Sequence, residues 1–516
     1  MDRRSFVGAA LLAGGGLWLG PRAPVSAASK AIAREPRLRE GAFRHGVAAG
    51  LPGERSITLW TRVSDVERSG RVKLEVAKDP EFRTLVHRQT VRAAAVRDFT
   101  ARATITPKGL RPGEQYWYRF STLAGSSPVG RFRTARPLDS REPVRIGWFS
   151  CQDWGSGYYG AHRGLAAEED LDLVVCLGDY VYERTFYNGP ADRRDTTGTN
   201  GDGEVQSLPE YRDKYALYRS DPDLQAMHAA HPFVAVWDDH EVEDNWARDE
   251  PGEATRVRRG PFLERRRVAY LAFFEWMPRF RLPADPSRIY DAIRLGANAE
   301  LVLLDTRQYR DDQPCGDEVL QPCPDAETGQ RTLLGRQQRE WFVDRVLRSG
   351  ARWKVVGTQI MIMSLDSAPG QTVNVDQWDG YGTERRQVLE ALRAGGVQDL
   401  TFITGDIHTF FAGDVHVNGR VTTPAVGTEF VGSSITSLGF ESFGPAGPAL
   451  QAGAPAPNPH LKFIDGFKRG YGVLEARPDE LRVTFRTADA TRRGAPTTDL
   501  ARFRVAAGTP RVERVA

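Results

Sequence analysis

The sequence lacks two features that mark common classes of binding protein. It carries 70 Lys and Arg against 67 Asp and Glu, a formal charge of +3, so it lacks the excess of positive charge typical of a nucleic-acid-binding protein. It also lacks a long apolar run, because the apolar stretch near its amino terminus is rich in glycine and shorter than the roughly 20 residues of a membrane span. We therefore expect no specific nucleic-acid site and no stable membrane span.

Residues 1–28 are typical of an export signal rather than of a folded segment. Arg3 and Arg4 precede the apolar stretch GAALLAGGGLWLG, and the small residues of PRAPVSAA follow it, as a signal peptidase requires. Paired arginines before a modestly apolar segment resemble a twin-arginine signal, which would make the Tat export machinery a partner. An ordinary secretory signal is the alternative. Either signal predicts an exported protein, secreted or held in the periplasm or cell wall.

Cysteine is scarce, with four residues in a chain of 516. Cys315 and Cys323 lie in the polar segment QPCGDEVLQPCPDAETG, and an oxidising compartment favours a disulfide between them. Cys176 lies inside an apolar strand, where we expect an inert core thiol. Cys151 differs, because it ends an apolar strand and is followed by polar residues. It is therefore expected to face whatever lies beyond the end of that strand.

Residues 40–136 are predicted to form an antiparallel, fibronectin III-like β-sandwich. Short alternating segments are separated by turn residues about every ten positions, namely SITLWTRV, RVKLEVAKD, FTARATITP, EQYWYRFST and GRFRTAR. This part of the sequence gathers no cluster of His, Cys or Asp. We therefore expect its aromatic residues to form a core and assign it no catalytic residue.

Residues 143–510 are predicted to form a layered α/β domain. Continuous apolar strands, of the kind buried on both faces, alternate in places with helical patterns such as LLGRQQREWFVDRVLRSG and ERRQVLEALRAGG. Ligand sites of α/β sheets lie beyond the carboxyl ends of strands, so we expect the polar residues at those ends to converge. These residues are Cys151, Asp179, Asp238 with Asp239 and His240, Asp305, Gln359, and Asp406 with His408.

The residue types at these strand ends predict a metal site. A single strand-end aspartate commonly caps a turn or a helix instead, but a thiol, a phenol, an imidazole and several carboxylates together match metal coordination. Such a mixture suits a transition metal such as Fe(III), whereas carboxylate and amide oxygens alone suit Ca²⁺, Mg²⁺ or Mn²⁺. Two ions therefore account for the mixture better than one.

Four motifs resemble those of the binuclear metallophosphoesterases, and in detail those of the PhoD-type alkaline phosphatases. They are Cys151-Gln152-Asp153, Gly178-Asp179-Tyr180-Val181-Tyr182, Asp238-Asp239-His240-Glu241 and Gly405-Asp406-Ile407-His408, accompanied by WDDHEVEDN, GVAAG and LWTRV. Relative to the general superfamily pattern, a cysteine opens the first motif, a tyrosine closes the second, and aspartates replace other residues in the third and fourth. The resemblance implies a four-layer α/β/β/α metallophosphoesterase sandwich behind the N-terminal β-sandwich.

The resemblance also implies a ligand set for two metals. Asp179 would bridge the two ions, because one carboxylate can give an oxygen to each. The residues that would complete an Fe³⁺ site are Cys151, Tyr182 and His408. The residues that would hold a second, harder ion, Ca²⁺, are Asp239 and Asp406, with a further oxygen from Asn245 or Asp238.

Two more residues take roles in the implied reaction, in which a hydroxide that bridges the metals attacks the phosphorus of an ester. His240 would contact the phosphate or protonate the leaving group. Arg307, in LLDTRQYR, would clamp the phosphate through its bidentate fork, with a structural ion pair as the alternative.

The implied function is that of an exported alkaline phosphatase that hydrolyses phosphomonoesters, and some phosphodiesters, to acquire phosphate. Two alternatives stay open. The same hydroxide could cleave a lipid headgroup, as in a phospholipase D-like phosphodiesterase, or the chain could be a non-catalytic, exported metal-dependent binding module.

Some polar residues are assigned no role in the reaction. Arg193 and Arg194 lie in a Gly-rich segment that we expect to be a solvated loop near the site, with contact to an anionic substrate as the alternative. Histidines without ligand spacing, such as His162 and His228, are expected to be surface or capping residues. The segments SLGFESFGPAG and PNPHLKFIDGFKRGYG are candidates for a cover over the site, although loops of that composition are ordinary.

Overall fold

The computed structural model describes residues 35–187, 189–252, 255, 257–317, 322–368 and 370–516. The predicted export signal, residues 1–28, lies outside these residues. Within the described part of the chain, none of the helices combines the length and the apolar character that crossing a bilayer requires.

The described residues form strands and helices with the following bounds. The strands are β1 Val47–Gly53, β2 Ser56–Arg62, β3 Gly70–Ala77, β4 Leu85–Ala93, β5 Thr100–Ile105, β6 Gln115–Ser121, β7 Gly130–Arg133, β8 Val144–Phe149, β9 Leu173–Cys176, β10 Pro232–Ala235, β11 Asp291–Leu295, β12 Ala299–Leu303, β13 Trp353–Thr358, β14 Asp366–Ala368, β15 Gln371–Thr372, β16 Leu400–Thr404, β17 Phe410–His416, β18 Ala425–Val431, β19 Leu461–Asp465, β20 Gly470–Ala476, β21 Glu480–Ala488, β22 Thr497–Ala506 and β23 Glu513–Arg514. The α-helices are α1 Gly160–Ala167, α2 Leu208–Tyr218, α3 Pro222–Ala230, α4 Phe262–Trp276, α5 Pro324–Thr328, α6 Gly335–Leu347, α7 Gly382–Ala394 and α8 Gly447–Gly453.

Two large sheets carry the six apolar strands that the sequence predicts. The ten-stranded sheet has the order β23-β22-β21-β20-β8-β9-β10-β1-β2-β5, and the seven-stranded sheet has the order β11-β12-β13-β16-β18-β17-β19. Strands β8, β9 and β10 are parallel neighbours in the first sheet, and β12, β13 and β16 are parallel neighbours in the second. Each sheet therefore presents three carboxyl ends in a row at one edge.

The two large sheets pack face to face, and alternate residues of one strand show both contacts. Leu301 and Leu303 of β12 belong to the apolar core that also contains Val174 of the ten-stranded sheet. Val302, between them, belongs to a second core with Phe342 of helix α6. Full burial of each such side chain contributes about 2 kcal/mol. Helices thus cover the outer face of the seven-stranded sheet, and α1 packs against β20, β21 and β22 of the other, which gives α/β/β/α layers.

The N-terminal strands form a sandwich that shares a sheet with the rest of the molecule. A four-stranded antiparallel sheet, β4-β3-β6-β7, packs on β1, β2 and β5 through a core that includes Val47, Ala49, Leu74 and Tyr118. Strand β1 also pairs in parallel with β10, with Ala49 opposite Pro232. The second layer of the sandwich is therefore continuous with the ten-stranded sheet.

Candidate metal centre

The turn after β9 places Asp179 against the end of β10. Gly178 has a φ of 107°, and a Cβ at this position would lie 2.3 Å from the Cβ of Asp238, so only glycine allows this approach. The buried carboxylate of Glu241 accepts hydrogen bonds from the backbone nitrogens of Asp179 at 3.0 Å, Tyr180 at 2.7 Å and Asp238 at 2.7 Å. Glu241 therefore ties the two strand ends together.

The thiol, phenol and imidazole meet on one side of Asp179. Ligand atoms of Cys151, Asp179 and His408 all lie within 4.8 Å of one another. The hydroxyl of Tyr182 lies 3.3 Å from Oδ2 of Asp179 and 3.3 Å from Nε2 of His408. Nδ1 of His408 donates to the carbonyl of Leu438 at 2.8 Å, which leaves the lone pair of Nε2 available to a metal. The structure thus brings together the four residues predicted for iron.

Four carboxylates meet on the other side. Oxygens of Asp179, Asp238, Asp239 and Asp406 lie within 4.8 Å of one another. Oδ1 of Asp179, Oδ2 of Asp238 and Oδ1 of Asp239 are buried and accept no hydrogen bond from the described residues. Burial raises the pKa of Asp179 and of Asp238 well above the usual range. Buried oxygens without partners are costly unless they bind a cation, so this donor set fits metal ions.

Asp179 is the one residue that occurs in each of the ligand groups found among the described residues. Burial also raises the pKa of the Cys151 thiol and of the Tyr182 phenol well above their usual values. A neighbouring cation reverses this preference by stabilising thiolate and phenolate. Mixed donors therefore lie on one side of Asp179, and carboxylate oxygens lie on the other.

His240 lies over the centre with its ring stacked on Tyr182, the two ring centroids 4.1 Å apart. Its Nδ1 is 2.8 Å from Oε2 of Glu183, which is buried. Burial alone would lower the pKa of His240, but the carboxylates of Asp239, Asp179 and Glu183 raise it well above its usual value. The imidazole, which itself forms a third ligand group with Asp179 and Asp239, is therefore held as a proton donor beside the other two groups.

Arg307 is fully buried and is surrounded by carboxylates. Its Nη1 and Nη2 donate to the two oxygens of Asp376 at 2.9 and 2.8 Å, and its Nε donates to Asp238. Nη2 also lies 3.6 Å from Asp239 and 3.6 Å from Asp406. The fork is thus occupied by Asp376, so these contacts correspond to the ion-pair alternative rather than to a free phosphate clamp.

Asn245 supports the centre through its backbone. Its nitrogen donates to Oδ2 of Asp239 at 2.8 Å, and its side-chain amide donates to Oδ2 of Asp317 at 2.5 Å. Asp317 lies within the segment closed by the disulfide between Cys315 and Cys323, a pairing that confirms the prediction. Of the two residues offered as an extra oxygen ligand, Asp238 lies in the carboxylate group, and Asn245 turns its amide nitrogen to Asp317.

Two predicted strand-end residues take structural positions instead. Asp305 accepts from Nε1 of Trp237 at 3.3 Å, and the amide of Gln359 donates to the carbonyls of Trp237 and Leu304 at 2.9 and 3.0 Å. Asp305 belongs to no ligand group found among the described residues, and Oε1 of Gln359 accepts from the hydroxyl of Thr306 at 2.9 Å. All six strand ends therefore lie together, as expected, but the side chains of these two form hydrogen bonds that join the two sheets.

Several supporting residues were missed by the sequence analysis. Glu183 directly follows the motif that ends at Tyr182, and Glu241 stands inside the quoted stretch WDDHEVEDN, so their proximity to ligands was a usable signal. Gln377 donates to Asp406 at 2.5 Å, and the hydroxyl of Ser437 donates to that of Tyr182 at 2.7 Å. Gln377 follows no motif or predicted strand, and Ser437 only opens the quoted segment SLGFESFGPAG, so nothing in the sequence pattern marks either residue as a partner of a metal ligand.

The expectation of surface positions was wrong for several basic residues. His162 and His228 are fully buried, with Nε2 of His162 2.6 Å from Oε1 of Gln152. Arg193 is also buried, since it lies over the ring of Trp154 at 3.5 Å and pairs with Asp221 at 2.7 Å. Packing inside the domain, rather than ligand binding, accounts for these residues.

Comparison with known proteins agrees with the fold. The family described as PhoD-like phosphatase matches residues 146–485, and its N-terminal domain matches residues 27–136. Alkaline phosphatase D of Bacillus subtilis (strain 168) is 35% identical over 506 residues, which cover 94% of this chain and 84% of that protein. The solved structure of PhoD matches with a TM-score of 0.82 and 33% identity, covering 93% of each chain.

A more distant match shows the shared architecture alone. Purple acid phosphatase PPD1 isolated from yellow lupin (Lupinus luteus) seeds matches with a TM-score of 0.54 at 11% identity, covering 90% of this chain and 75% of that one. The predicted fold class, a mixed α/β metallophosphoesterase fold preceded by an antiparallel N-terminal sheet, is confirmed. The chain belongs to the PhoD-like phosphatase family.

Proposed function

We propose that this phosphoesterase is an exported alkaline phosphatase that hydrolyses phosphomonoesters, and some phosphodiesters, to acquire phosphate. The observation that carries the proposal is the position of Asp179, whose carboxylate joins the thiol, phenol and imidazole on one side to three carboxylates on the other. The similarity to alkaline phosphatase D supports ester hydrolysis over a non-catalytic binding module.

We assign Fe³⁺ to the mixed donors and Ca²⁺ to the oxygens. The iron ligands would be Cys151, Asp179, Tyr182 and His408, and the calcium ligands would be Asp179, Asp238, Asp239 and Asp406. When bound, such a pair of cations lowers the pKa of a water molecule and neutralises negative charge on the phosphate. Soft and hard donors are separated on either side of Asp179, which supports one ion of each kind.

The protein residues around the donors have their own tasks. Because Nδ1 of His240 faces Glu183, its Nε2 is the atom left to donate a proton to the oxygen of the departing alcohol. The hydroxyl of Ser437 donates to the oxygen of Tyr182 and so favours the phenolate. Arg307 balances the charge of the carboxylates that surround it.

The iron assignment predicts a coloured protein, because a phenolate bound to Fe³⁺ absorbs visible light. Tyr182→Phe should bleach the colour, whereas Tyr180→Phe is a matched control, since the hydroxyl of Tyr180 lies 2.8 Å from His228 and away from the ligands. Metal analysis should find iron and calcium. A protein that contains zinc alone would contradict the assignment.

Substrate tests separate the phosphatase from the phospholipase D-like alternative. The metal-loaded protein should hydrolyse p-nitrophenyl phosphate faster than bis-p-nitrophenyl phosphate, and both faster than phosphatidylcholine. Negligible monoesterase activity together with strong turnover of the lipid would replace our proposal with the phosphodiesterase.

Export is tested through the paired arginines. Changing Arg3→Lys and Arg4→Lys together should retain the protein inside the cell if the twin-arginine route is used, with the location read by fractionation. Undiminished export of the double variant would favour the ordinary secretory signal instead. A wild-type protein that stays inside the cell would contradict export by either route.

A further inference from the structure

A cavity of about 550 Å³ opens beside the metal centre. Asp406 and His408, two of the proposed ligands, form part of its lining. Most of the remaining lining is apolar, and its larger apolar side chains include Leu365, Ile407, Leu438, Phe440, Phe443 and Leu450. A substrate group that lies next to the reacting phosphate on this side would therefore contact apolar side chains.

One continuous stretch of chain, residues 438–453, supplies most of the apolar lining of the cavity, and we call it the wall. It is hydrogen-bonded directly to His408, one of the proposed metal ligands. The carbonyl of Leu438 accepts from Nδ1 of His408 at 2.8 Å, and the nitrogen of Phe440 donates to the carbonyl of Gly466 at 2.8 Å. A Cβ at Gly439 would lie 2.6 Å from the carbonyl oxygen of His408, so the backbone of the wall touches the backbone of the ligand. The beginning of the wall is therefore in direct contact with one of the proposed ligands.

The charged residues that line the cavity also restrict the substrate groups that it can bind. Its described lining contains no lysine and no arginine. Of its two acids, Asp406 belongs to the metal centre, and Asp366 is paired with Arg420 by two hydrogen bonds of 2.9 and 3.0 Å. A second anionic group on a substrate would find no positive partner among these residues. Phe443, by contrast, exposes 42% of its surface, which leaves apolar area for a ligand to cover.

We propose that this cavity binds the organic group of the substrate, and that the preferred substrates are phosphate esters of apolar alcohols. Phe443 and Leu450 act as specificity-determining residues that cover an alkyl or aryl group while its phosphate lies at the ligands. Esters of charged alcohols and nucleoside polyphosphates are disfavoured. This inference rests on the proposed phosphoesterase function.

A series of primary n-alkyl phosphates, from ethyl to hexyl, tests the inference because the departing alkoxide is nearly the same in each. Below the concentrations at which the esters aggregate, kcat/KM should rise about two- to fourfold per added methylene, the upper value corresponding to full burial. A hexyl phosphate that ends in a carboxylate should react at least about tenfold more slowly than hexyl phosphate, because its charge would be desolvated. A rate that does not change with chain length would overturn the inference.

Two variants assign the effect to the wall. Phe443→Ala and Leu450→Ala should each flatten the dependence of kcat/KM on chain length. Phe280→Ala is a matched control, since Phe280 is exposed to a similar extent, 40%, and does not line the cavity. An unchanged dependence in both wall variants, or an equal loss in the control, would contradict the assignment to this wall.

Binding measurements test the cavity inference independently of the proposed phosphatase activity. Alkylphosphonates, whose carbon–phosphorus bond is not hydrolysed, can be titrated into the metal-loaded protein by calorimetry. Affinity that rises from ethyl to hexyl phosphonate supports the cavity even if no ester is turned over, a result that would defeat the phosphatase proposal alone. Equal affinities, found in a protein that does hydrolyse esters, would defeat the cavity inference alone.

Discussion

The two sides of the cavity are built in opposite ways. The metal centre gathers residues from strand ends of both large sheets, and its side chains are charged or polar and mostly buried. The apolar wall comes from one continuous segment, residues 438–453, and Phe443 at its surface is substantially exposed. The contrast indicates that reaction chemistry depends on the whole fold, whereas selection among substrates can change through single side chains of one segment.

The largest expected effect is on stability, at the charge balance of the centre. Arg307→Gln would leave Asp376 and Asp238 buried without their partner, which should cost about 3 to 5 kcal/mol of unfolding free energy. Urea denaturation of the metal-loaded protein measures this loss. Arg266→Gln, which removes an ion pair with the exposed Asp249, should cost less than about 1 kcal/mol. Equal losses of unfolding free energy in the two variants would show that the buried ion pairs of Arg307 stabilise the protein no more than an exposed ion pair does.

The next effect is on activity. Asp179→Asn removes the carboxylate shared by the ligand groups, and kcat/KM should fall by more than about 100-fold, the upper loss seen for residues that merely support a metal ligand. Asp170→Asn is the control, because Asp170 also has a positive φ, 56° against 55° for Asp179, but is exposed. Full activity in Asp179→Asn would show that the metal centre is not required for hydrolysis.

A smaller effect concerns pH and a histidine that supports the centre through Gln152. Burial lowers the pKa of His162 from 6.5 to about 3. The unfolded chain binds this proton below pH 6.5 and the folded protein does not, so the stabilisation is complete above pH 6.5 and is lost as the pH falls toward 3. At pH 5 the loss is about 2 kcal/mol relative to pH 7.

His162→Gln should therefore reduce the difference in unfolding free energy between pH 7 and pH 5 by about that amount. Phe443→Ala, in the wall, should leave the same difference unchanged because no titratable group is removed. Identical pH dependence in His162→Gln and the wild type would show that His162 is protonated in the folded state.

The smallest effect is expected in the wall itself. Because Phe443 is 42% exposed, Phe443→Ala should change the unfolding free energy by less than about 1 kcal/mol, well below the cost of truncating a buried phenylalanine. Phe430→Ala, at a fully buried position between the two sheets, should cost about 3 to 5 kcal/mol. Similar losses in the two variants would show that the wall is part of the core. That result would contradict the contrast drawn between the two sides of the cavity.

The sequence predicted the proposed metal ligands better than it predicted the residues that surround them. Cys151, Asp179 and Asp406 stand directly after apolar strands, and a strand end is readable because apolar runs and their polar termini are local features. Gln377 and Arg307 show the limit. Gln377 lies in no predicted element, and the fork of Arg307 binds Asp376, a residue 69 positions away. Spacing along the chain carries no information about such partners.

The sequence by itself determined the two architectures, the order of the strands and the kinds of donor atom that follow them, because periodicity and residue chemistry are local. The tertiary structure decided how the parallel strands divide between two sheets, and so which strand ends meet at Asp179 and which, at Asp305 and Gln359, join the sheets instead. It also decided that an apolar wall lies beside His408, since Leu438 and His408 meet through the pairing of strands distant in sequence. Contacts of that kind depend on packing over the whole domain.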